Sequence, residues 1–296
     1  MAGFFKSFNR EGKGVSKDAP NKKRFFLFFE LLWRHVFPII GVNFIYFVII
    51  FPLILFLFMY IFQTMGIEVD VIASNSLFKV SSWFFNFPDW LKFGLVALSA
   101  ILYGPVTCGL TYVMRNFARE EHTWPFSDFF ERSWQNFLQG FLVGILDIVI
   151  LMSASMYLAL DTNTLAAGDG YLAVFKVIAI IISILYFIMR NYIYLMIVTF
   201  KIRFVAIIKN AALFVVLNFV RNLFTIAGVL IVLFLTTGVT VFCMAIFTFA
   251  LARFIEVFNA LPAINKYMLE PMRRKEGKQL EEPIFQDDVT KKEQEK

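Results

Sequence analysis

Long apolar blocks separated by short polar segments form the main pattern of this chain. Five of these blocks are long enough to cross a membrane as helices, and they cover residues 36–62, 91–114, 141–160, 171–200 and 223–251. A bilayer core requires about 20 apolar residues per helix, and backbone polar groups in lipid must bond within a helix or a closed barrel. Because the ten-residue alternation typical of barrel strands is absent from the sequence, the pattern predicts an all-α fold. We expect a polytopic transmembrane helical bundle with five spans.

A sixth span is the alternative. Residues 204–220 are apolar, but as a span they would bury Lys209, and a charged side chain is costly in lipid. We therefore expect 201–222 to form an interfacial helix. The choice decides the location of the C-terminus, which lies opposite the N-terminus after five spans and on the same side after six.

Another amphipathic interfacial helix is predicted between the second and third blocks. Pro125 suits the first helical position and Asp128 the first turn, where negative charge is favourable. The apolar residues of this stretch lie roughly on one face and are Phe126, Phe129, Phe130, Trp134, Phe137 and Leu138. A helix with one strongly apolar face is typical of a segment that lies in the membrane surface.

Polar segments flank the membrane domain and divide the chain into three regions. Residues 1–35 form a basic N-terminal segment, residues 36–268 a transmembrane helical domain, and residues 269–296 a charged tail with the composition of disorder. The basic residues of the first region are Lys6, Arg10, Lys13, Lys17, Lys22, Lys23, Arg24 and Arg34. This region does not resemble a cleavable signal peptide. Since cytoplasmic segments carry an excess of Lys and Arg, we expect the N-terminus in the cytoplasm, in contact with anionic lipid.

Composition supports a membrane protein and does not indicate an enzyme. Apolar residues make up 59% of the 296 residues and charged residues 17%, whereas soluble domains carry about 25% charged residues. Cys108 and Cys243 fall within apolar blocks, and the two histidines have no neighbouring ligand cluster. Phosphate-binding loops, zinc-protease motifs and nucleophile elbows are absent from the sequence. We therefore predict no catalytic residue, no metal, no cofactor and no nucleic-acid partner.

Small residues in the second and third spans predict close contacts between helices. The candidate packing or hinge residues are Gly104, Pro105, Cys108, Gly109, Gly140 and Gly144. Within each span they recur four residues apart, so that each pair shares one helix face, and the last two form a GxxxG pattern. The alternative to packing is that the Gly-Pro pair bends the second span as a hinge or forms a polar notch in a transport path.

Two charged residues lie deep within predicted spans. At 1.5 Å per residue, Asp147 is about 12 Å from Gln139, just before the third span, and Arg190 about 16 Å from Lys201, just after the fourth. The two spans are consecutive and antiparallel, so both charges lie at similar depth. We expect Asp147 and Arg190 to pair, with Asn191 and Asn43 nearby. Such a pair is either a structural ion pair or a contact for a substrate or ion in a hydrated cavity.

Residues 103–140 combine several distinctive features in one segment. They contain a Gly-Pro-x-x-x-Gly helix, an aromatic-hydrophobic-Arg step, an acidic turn and a Phe-rich helix that runs into Gln-Asn-Phe. This combination resembles the YesL-like family of bacterial integral membrane proteins, from which the chain departs in its longer 63–90 loop and its charged tail. The resemblance implies a protein of the bacterial inner membrane, often encoded beside carbohydrate-uptake systems in low-GC Gram-positive bacteria, without an established biochemical activity.

These observations together predict a function that is not enzymatic. We expect an integral membrane accessory or regulatory protein associated with solute uptake, with carbohydrate as the solute that the resemblance implies. Its expected partners are the lipid bilayer and either the permease subunits of an ABC transporter or further copies of itself. The alternative is a small transporter or channel that uses Asp147 and Arg190.

Overall fold

Helices account for nearly all of the chain that the structure, a computed structural model, describes: residues 23–66, 84, 86–159, 170–239 and 243–271. They are α1 (Arg24–Arg34), α2 (Val36–Thr64), α3 (Asp89–Ala118), α4 (Pro125–Gln135), α5 (Phe137–Ala159), α6 (Gly170–Thr199), α7 (Phe204–Leu217), α8 (Phe219–Val239) and α9 (Phe249–Ile264). Single π-helical turns, Met244–Thr248 and Asn265–Leu269, extend α9 at both ends. No strand occurs in these ranges, and the predicted all-α class is confirmed.

Six helices in the described part of the chain are long and apolar enough to cross a bilayer. They are Val36–Thr64, Asp89–Ala118, Phe137–Ala159, Val174–Thr199, Phe219–Thr236 and Met244–Leu269. The chain is therefore a multi-pass helical membrane protein, and the preferred count of five spans was too low.

The additional span is not the one that the sequence suggested. With 14 residues, α7 is about 21 Å long at 1.5 Å per residue, which is too short for the hydrocarbon core. Lys209 on this helix is exposed. The block read as one span at 223–251 instead divides between α8 and the Met244–Leu269 helix. The predicted block ended at residue 251, just before Arg253 and Glu256, but these two residues pair with each other and are buried within the helix bundle.

Six crossings place the start of α2 and the end of the last helix on the same side of the bundle. The short helices α1, α4 and α7 lie on this side, which we call the elbow side, because each joins or precedes a span there. Helix α1 falls within the basic segment 1–35 and was not predicted from the sequence. It is anchored by Arg24, whose Nη2 donates to the carbonyl oxygen of Phe258 at 2.6 Å. Residues 1–22 and 272–296, which include most of the predicted tail, lie outside the described ranges.

Helix α3 lies at the centre of the bundle and packs against α2, α4, α5, α6 and α9. It runs as one helix through Pro105. A Cβ atom at Gly104 would overlap the carbonyl oxygen of Gly140, and a Cβ at Gly109 would overlap Ser133 Oγ on α4. Gly144 also faces the backbone of Gly104. The glycines therefore let α4 and α5 approach α3 to backbone contact, as small residues do in membrane helix pairs.

Candidate functional site

A carboxylate in α5 lies at the centre of a buried polar cluster. Asp147, with a side chain only 3% exposed, lies 2.7 Å from Nε of Arg190 on α6, measured to its Oδ2 atom. Its Oδ1 atom accepts a hydrogen bond from the hydroxyl of Tyr186 at 2.6 Å, and Oδ2 accepts a second from Tyr194 at 3.0 Å. Three donors from one helix therefore surround the carboxylate, which offsets much of the cost of burying its charge.

Arg190 connects this carboxylate to the central helix. Its Nη2 atom donates to the hydroxyl of Tyr103 on α3 at 2.7 Å, and its guanidinium carbon lies 5.3 Å from the centroid of the Tyr194 ring. The arginine side chain is 12% exposed, more than its carboxylate partner. The exposed part faces a cavity in the bundle, where Arg190 is one of the lining residues.

A second ion pair lies beside the first, on α9. Nη1 of Arg253 lies 2.8 Å from Oε2 of Glu256, yet this buried nitrogen makes no hydrogen bond within the described residues. The amide of Asn191 faces the same carboxylate and, with its nitrogen on that side, donates to Oε1 at 3.0 Å. Arg253 also lies over the Tyr194 ring at 5.3 Å. Because Tyr194 contacts both arginines, the two ion pairs form one cluster across α3, α5, α6 and α9.

This cluster borders a cavity of about 340 Å³, which we call the central cavity. Its polar lining residues are Tyr46, Tyr103, Arg190, Arg253 and Glu256, and most of the remaining lining is aliphatic. Leu57, Leu151 and Leu233 extend the lining toward the side opposite the elbow side. Cavities from about 300 Å³ upward accommodate small-molecule ligands, which bind among apolar walls with a few polar groups. The central cavity has both features.

The hydroxyl of Tyr46, a lining residue on α2, is hydrogen-bonded to α3 behind the cavity wall. The hydroxyls of Tyr46 and Thr107 lie 3.0 Å apart, and Thr107 also donates to the carbonyl oxygen of Tyr103 at 2.6 Å. Tyr46 and Thr107 are buried. Because the Thr107 hydroxyl gives its one hydrogen to Tyr103, the Tyr46 hydroxyl donates to Thr107, and its oxygen can still accept a hydrogen bond from a ligand.

The residues singled out from the sequence fall at two places. Asp147, Arg190 and Asn191 belong to the polar cluster, whereas the small residues form the contacts of α3 with α4 and α5. Asn43 does not join the cluster: its amide donates to the carbonyl oxygens of Met244 and Ala245, and its Oδ1 accepts from the backbone nitrogen of Ala250. It thereby satisfies backbone groups at the π-helical turn, where the regular helical pattern is interrupted.

Several members of the cluster were missed by the sequence reasoning. The missed residues are Tyr103, Tyr186, Tyr194, Arg253 and Glu256. The tyrosines carry no charge and so did not stand out among the many aromatic residues. Arg253 and Glu256, three residues apart, carry the spacing of a pair on one helix face, which was the available signal for a buried ion pair.

The described residues do not assemble an evident metal site. Within them, no group of three or more His, Cys, Asp or Glu side chains is close enough to hold a metal ion. Cys108 on α3 is buried against Gly140 of α5, and Cys243 is half-buried.

Comparison with known proteins identifies one matching segment. Residues 84–157 match the family model described as "Protein of unknown function, DUF624". No curated protein and no solved structure matches the chain. The matched segment contains Tyr103 and Asp147 but ends before Arg190, Arg253 and Glu256. The match thus covers α3, α4 and most of α5, and only part of the polar cluster.

Proposed function

We propose that this protein is an integral membrane accessory or regulatory component of solute uptake that binds a small polar solute in the central cavity. The observation that carries the proposal is a cavity of ligand size, inside a membrane domain, bordered by two ion pairs and two tyrosines. Polar and ionisable groups are rare within membrane helices and occur mainly where function requires them.

The chemistry of the lining favours an uncharged, hydroxyl-rich solute. Asp147 balances Arg190 and Glu256 balances Arg253, so the cavity carries no net charge to attract an ion. The guanidinium groups of Arg190 and Arg253 line the cavity as donors, and the Glu256 carboxylate and the Tyr46 oxygen line it as acceptors. Carbohydrates present donors and acceptors in this mixed arrangement, in agreement with the solute implied by the YesL-like resemblance.

The distribution of basic residues supports an orientation with the elbow side in the cytoplasm of a bacterium. On or near the elbow side lie Lys23, Arg24, Arg34, Arg115, Arg119, Arg132, Lys201, Arg203, Lys209, Arg221 and Lys266, whereas Lys92 and Lys176 lie toward the opposite ends of their helices. This difference matches the excess of Lys and Arg in cytoplasmic segments. With six spans, both ends of the membrane domain then face the cytoplasm.

Ligand binding to the complete chain tests the cavity assignment. In phosphatidylcholine nanodiscs, we expect a mono- or disaccharide from a panel to bind, and Tyr46→Phe to weaken binding about fivefold by removing one hydrogen bond. Tyr267→Phe is the matched control, because Tyr267 is half-exposed and does not line the cavity. Binding that is equal in the two variants, or absent from the wild type, contradicts the proposal.

The accessory role and the absence of enzymatic activity are part of the same proposal. Crosslinking in native membranes followed by purification is expected to recover permease subunits of an ABC transporter at a stoichiometric level. Recovery of only further copies of this chain favours self-association instead. Chemical conversion of the bound saccharide by the purified protein contradicts a non-enzymatic role.

A small transporter is the second candidate, and the continuation of the cavity beyond the ion pairs favours it. The lining reaches Leu57, Leu151 and Leu233 toward the opposite side, which resembles part of an access path. Proteoliposomes that contain only this chain separate the candidates. Saccharide flux identifies a transporter, whereas binding without flux identifies an accessory protein.

A further inference from the structure

A second, larger cavity lies on the elbow side, at a distance from the ion pairs of the bundle. Its volume is about 660 Å³, and its lining comes from the end of α3, from α4, from the start of α5 and from the end of α6. We call it the elbow cavity. The polar lining residues are Tyr112, Arg115, Arg132, Gln135, Asn136, Gln139, Thr199 and Lys201. Three are cations, and the described lining contains no Asp or Glu.

One of the three cations is already used in holding the helices together. Arg115 is buried, and its Nη1 donates to the carbonyl oxygen of Val198 at 2.9 Å, in the last turn of α6. Its Nη2 donates to Asn116 Oδ1 at 2.8 Å and lies 3.7 Å from the carboxylate of Glu121. Arg115 therefore neutralises the negative end of α6, which would otherwise oppose an anion in the cavity.

The other two cations have no carboxylate partner within the described residues. Nη1 of Arg132 donates to Gln135 Oε1 at 2.8 Å, but its Nε is buried and makes no hydrogen bond there. Lys201 is exposed and makes neither a hydrogen bond nor an ion pair with a described residue. A buried donor without a partner costs free energy, so the arrangement is incomplete without a further acceptor.

The surroundings favour an anion with several acceptor oxygens. Arg132 and Arg115 both lie over the Tyr112 ring, at 4.5 and 4.6 Å from its centroid, which holds two like charges near each other. The first turn of α5 contributes Leu138 and Gln139 to the lining, and the N-terminal end of a helix attracts negative charge. Guanidinium groups bind phosphate oxygens with two parallel hydrogen bonds.

We propose that the elbow cavity binds a phosphate group, carried by an anionic phospholipid headgroup or by a small soluble phosphate compound. Arg132 and Lys201 supply the unmatched positive charge, and the amides of Gln135, Asn136 and Gln139 lie within the same cavity. Exposed Trp134 and Leu138 beside the cavity are suited to the boundary between headgroups and acyl chains. The site is independent of the central cavity.

Two probes distinguish the sources of the phosphate. Native mass spectrometry of the full chain measures retention of phosphatidylglycerol against phosphatidylcholine. Thermal shift in phosphatidylcholine nanodiscs measures binding of inorganic phosphate against chloride at equal ionic strength. We expect Arg132→Gln/Lys201→Gln to weaken binding about thirtyfold, and Lys201→Gln alone about fivefold. The matched control is Arg203→Gln/Lys209→Gln, which removes the same charges from the same side but from outside the cavity.

Each result either identifies the source of the phosphate or overturns the proposal. Retention of phosphatidylglycerol alone identifies a lipid site, a shift with inorganic phosphate alone identifies a soluble ligand, and both together identify phosphate as the shared determinant. Equal loss in the cavity and control variants, or binding of neither probe by the wild type, overturns the proposal. If the double variant does not fold, Lys201→Gln decides the question, because Lys201 makes no hydrogen bond or ion pair with a described residue.

Discussion

The centre of the bundle and the elbow cavity differ in whether their charged side chains have partners of opposite charge. In the centre, Asp147 faces Arg190 and Glu256 faces Arg253, at 2.7 and 2.8 Å. In the elbow cavity, Arg132 lacks a carboxylate partner within the described residues, although its Nε is buried. The central groups lie well within the membrane-spanning helices, whereas the elbow groups lie at helix ends near the membrane surface. Charge at depth must be neutralised by the protein itself, while charge near the surface remains available for a ligand.

Removing the central carboxylate is the strongest test of this comparison. Asp147→Asn leaves Arg190 without its counter-charge, and we expect a loss of about 3–5 kcal/mol in the free energy of unfolding. The measurement is chemical unfolding in a mild detergent. The double variant Asp147→Asn/Arg190→Gln is expected to cost less than the sum of the single variants. Additive costs would mean that the two side chains are not energetically coupled.

The next largest loss of stability is expected when the close contact between α3 and α5 is disturbed. We expect Gly104→Val to lower the free energy of unfolding by about 1–3 kcal/mol or more. The valine side chain would meet the carbonyl of Gly140 and force α5 away from Tyr103. Gly94→Val on the same helix is the control, since a Cβ there meets nothing within 4 Å. Thermal unfolding of the two variants in one detergent provides the comparison. Equal melting temperatures would show that the close contact of α3 and α5 is unimportant.

A smaller effect is expected at the elbow cavity. In neutral detergent without phosphate or anionic lipid, Arg132→Gln/Lys201→Gln should change the free energy of unfolding by about 1 kcal/mol or less, since no ion pair is lost. High salt should narrow any difference from the wild type, because it screens exposed charges. A loss of unfolding free energy as large as that of Asp147→Asn would show that the elbow cations stabilise the fold as the central ion pairs do. The two regions would then not differ in this respect.

The smallest effect concerns His35, which stacks on Phe117 at 4.3 Å between the ring centroids. Burial lowers the pKa of His35 and nearby Arg34 lowers it further, against an opposing effect of Glu120. The folded protein therefore binds fewer protons than the unfolded chain. Stability is full above the unfolded pKa of about 6.5 and falls as the pH drops below it.

Unfolding between pH 5 and pH 8 measures this dependence. The control is His35→Gln, in which we expect a flatter profile over the same range because residue 35 no longer titrates. An unchanged profile in this variant would assign the pH dependence to other groups.

The separation between predictable and unpredictable features follows particular residues. Residues 36–62 and 91–114 matched α2 and most of α3, and Pro125 marks the first residue of α4, because these signals are local in the chain. The last span was missed because Arg253 and Glu256 count as two charges in a sequence but as a neutral pair in space. Likewise, α1 was missed because its amphipathic pattern lies within a segment read for its charge.

The amino-acid sequence by itself determined that the chain is helical, that it crosses a membrane several times, and that Asp147 and Arg190 lie at similar depth. Length and hydropathy suffice for these conclusions, because lipid leaves the backbone few alternatives. Only the tertiary structure decided that three tyrosines complete the polar cluster, that Asn43 bonds the π-helical turn, and that two cavities with different charge exist. These features depend on the relative positions of helices distant in sequence, which local patterns do not specify.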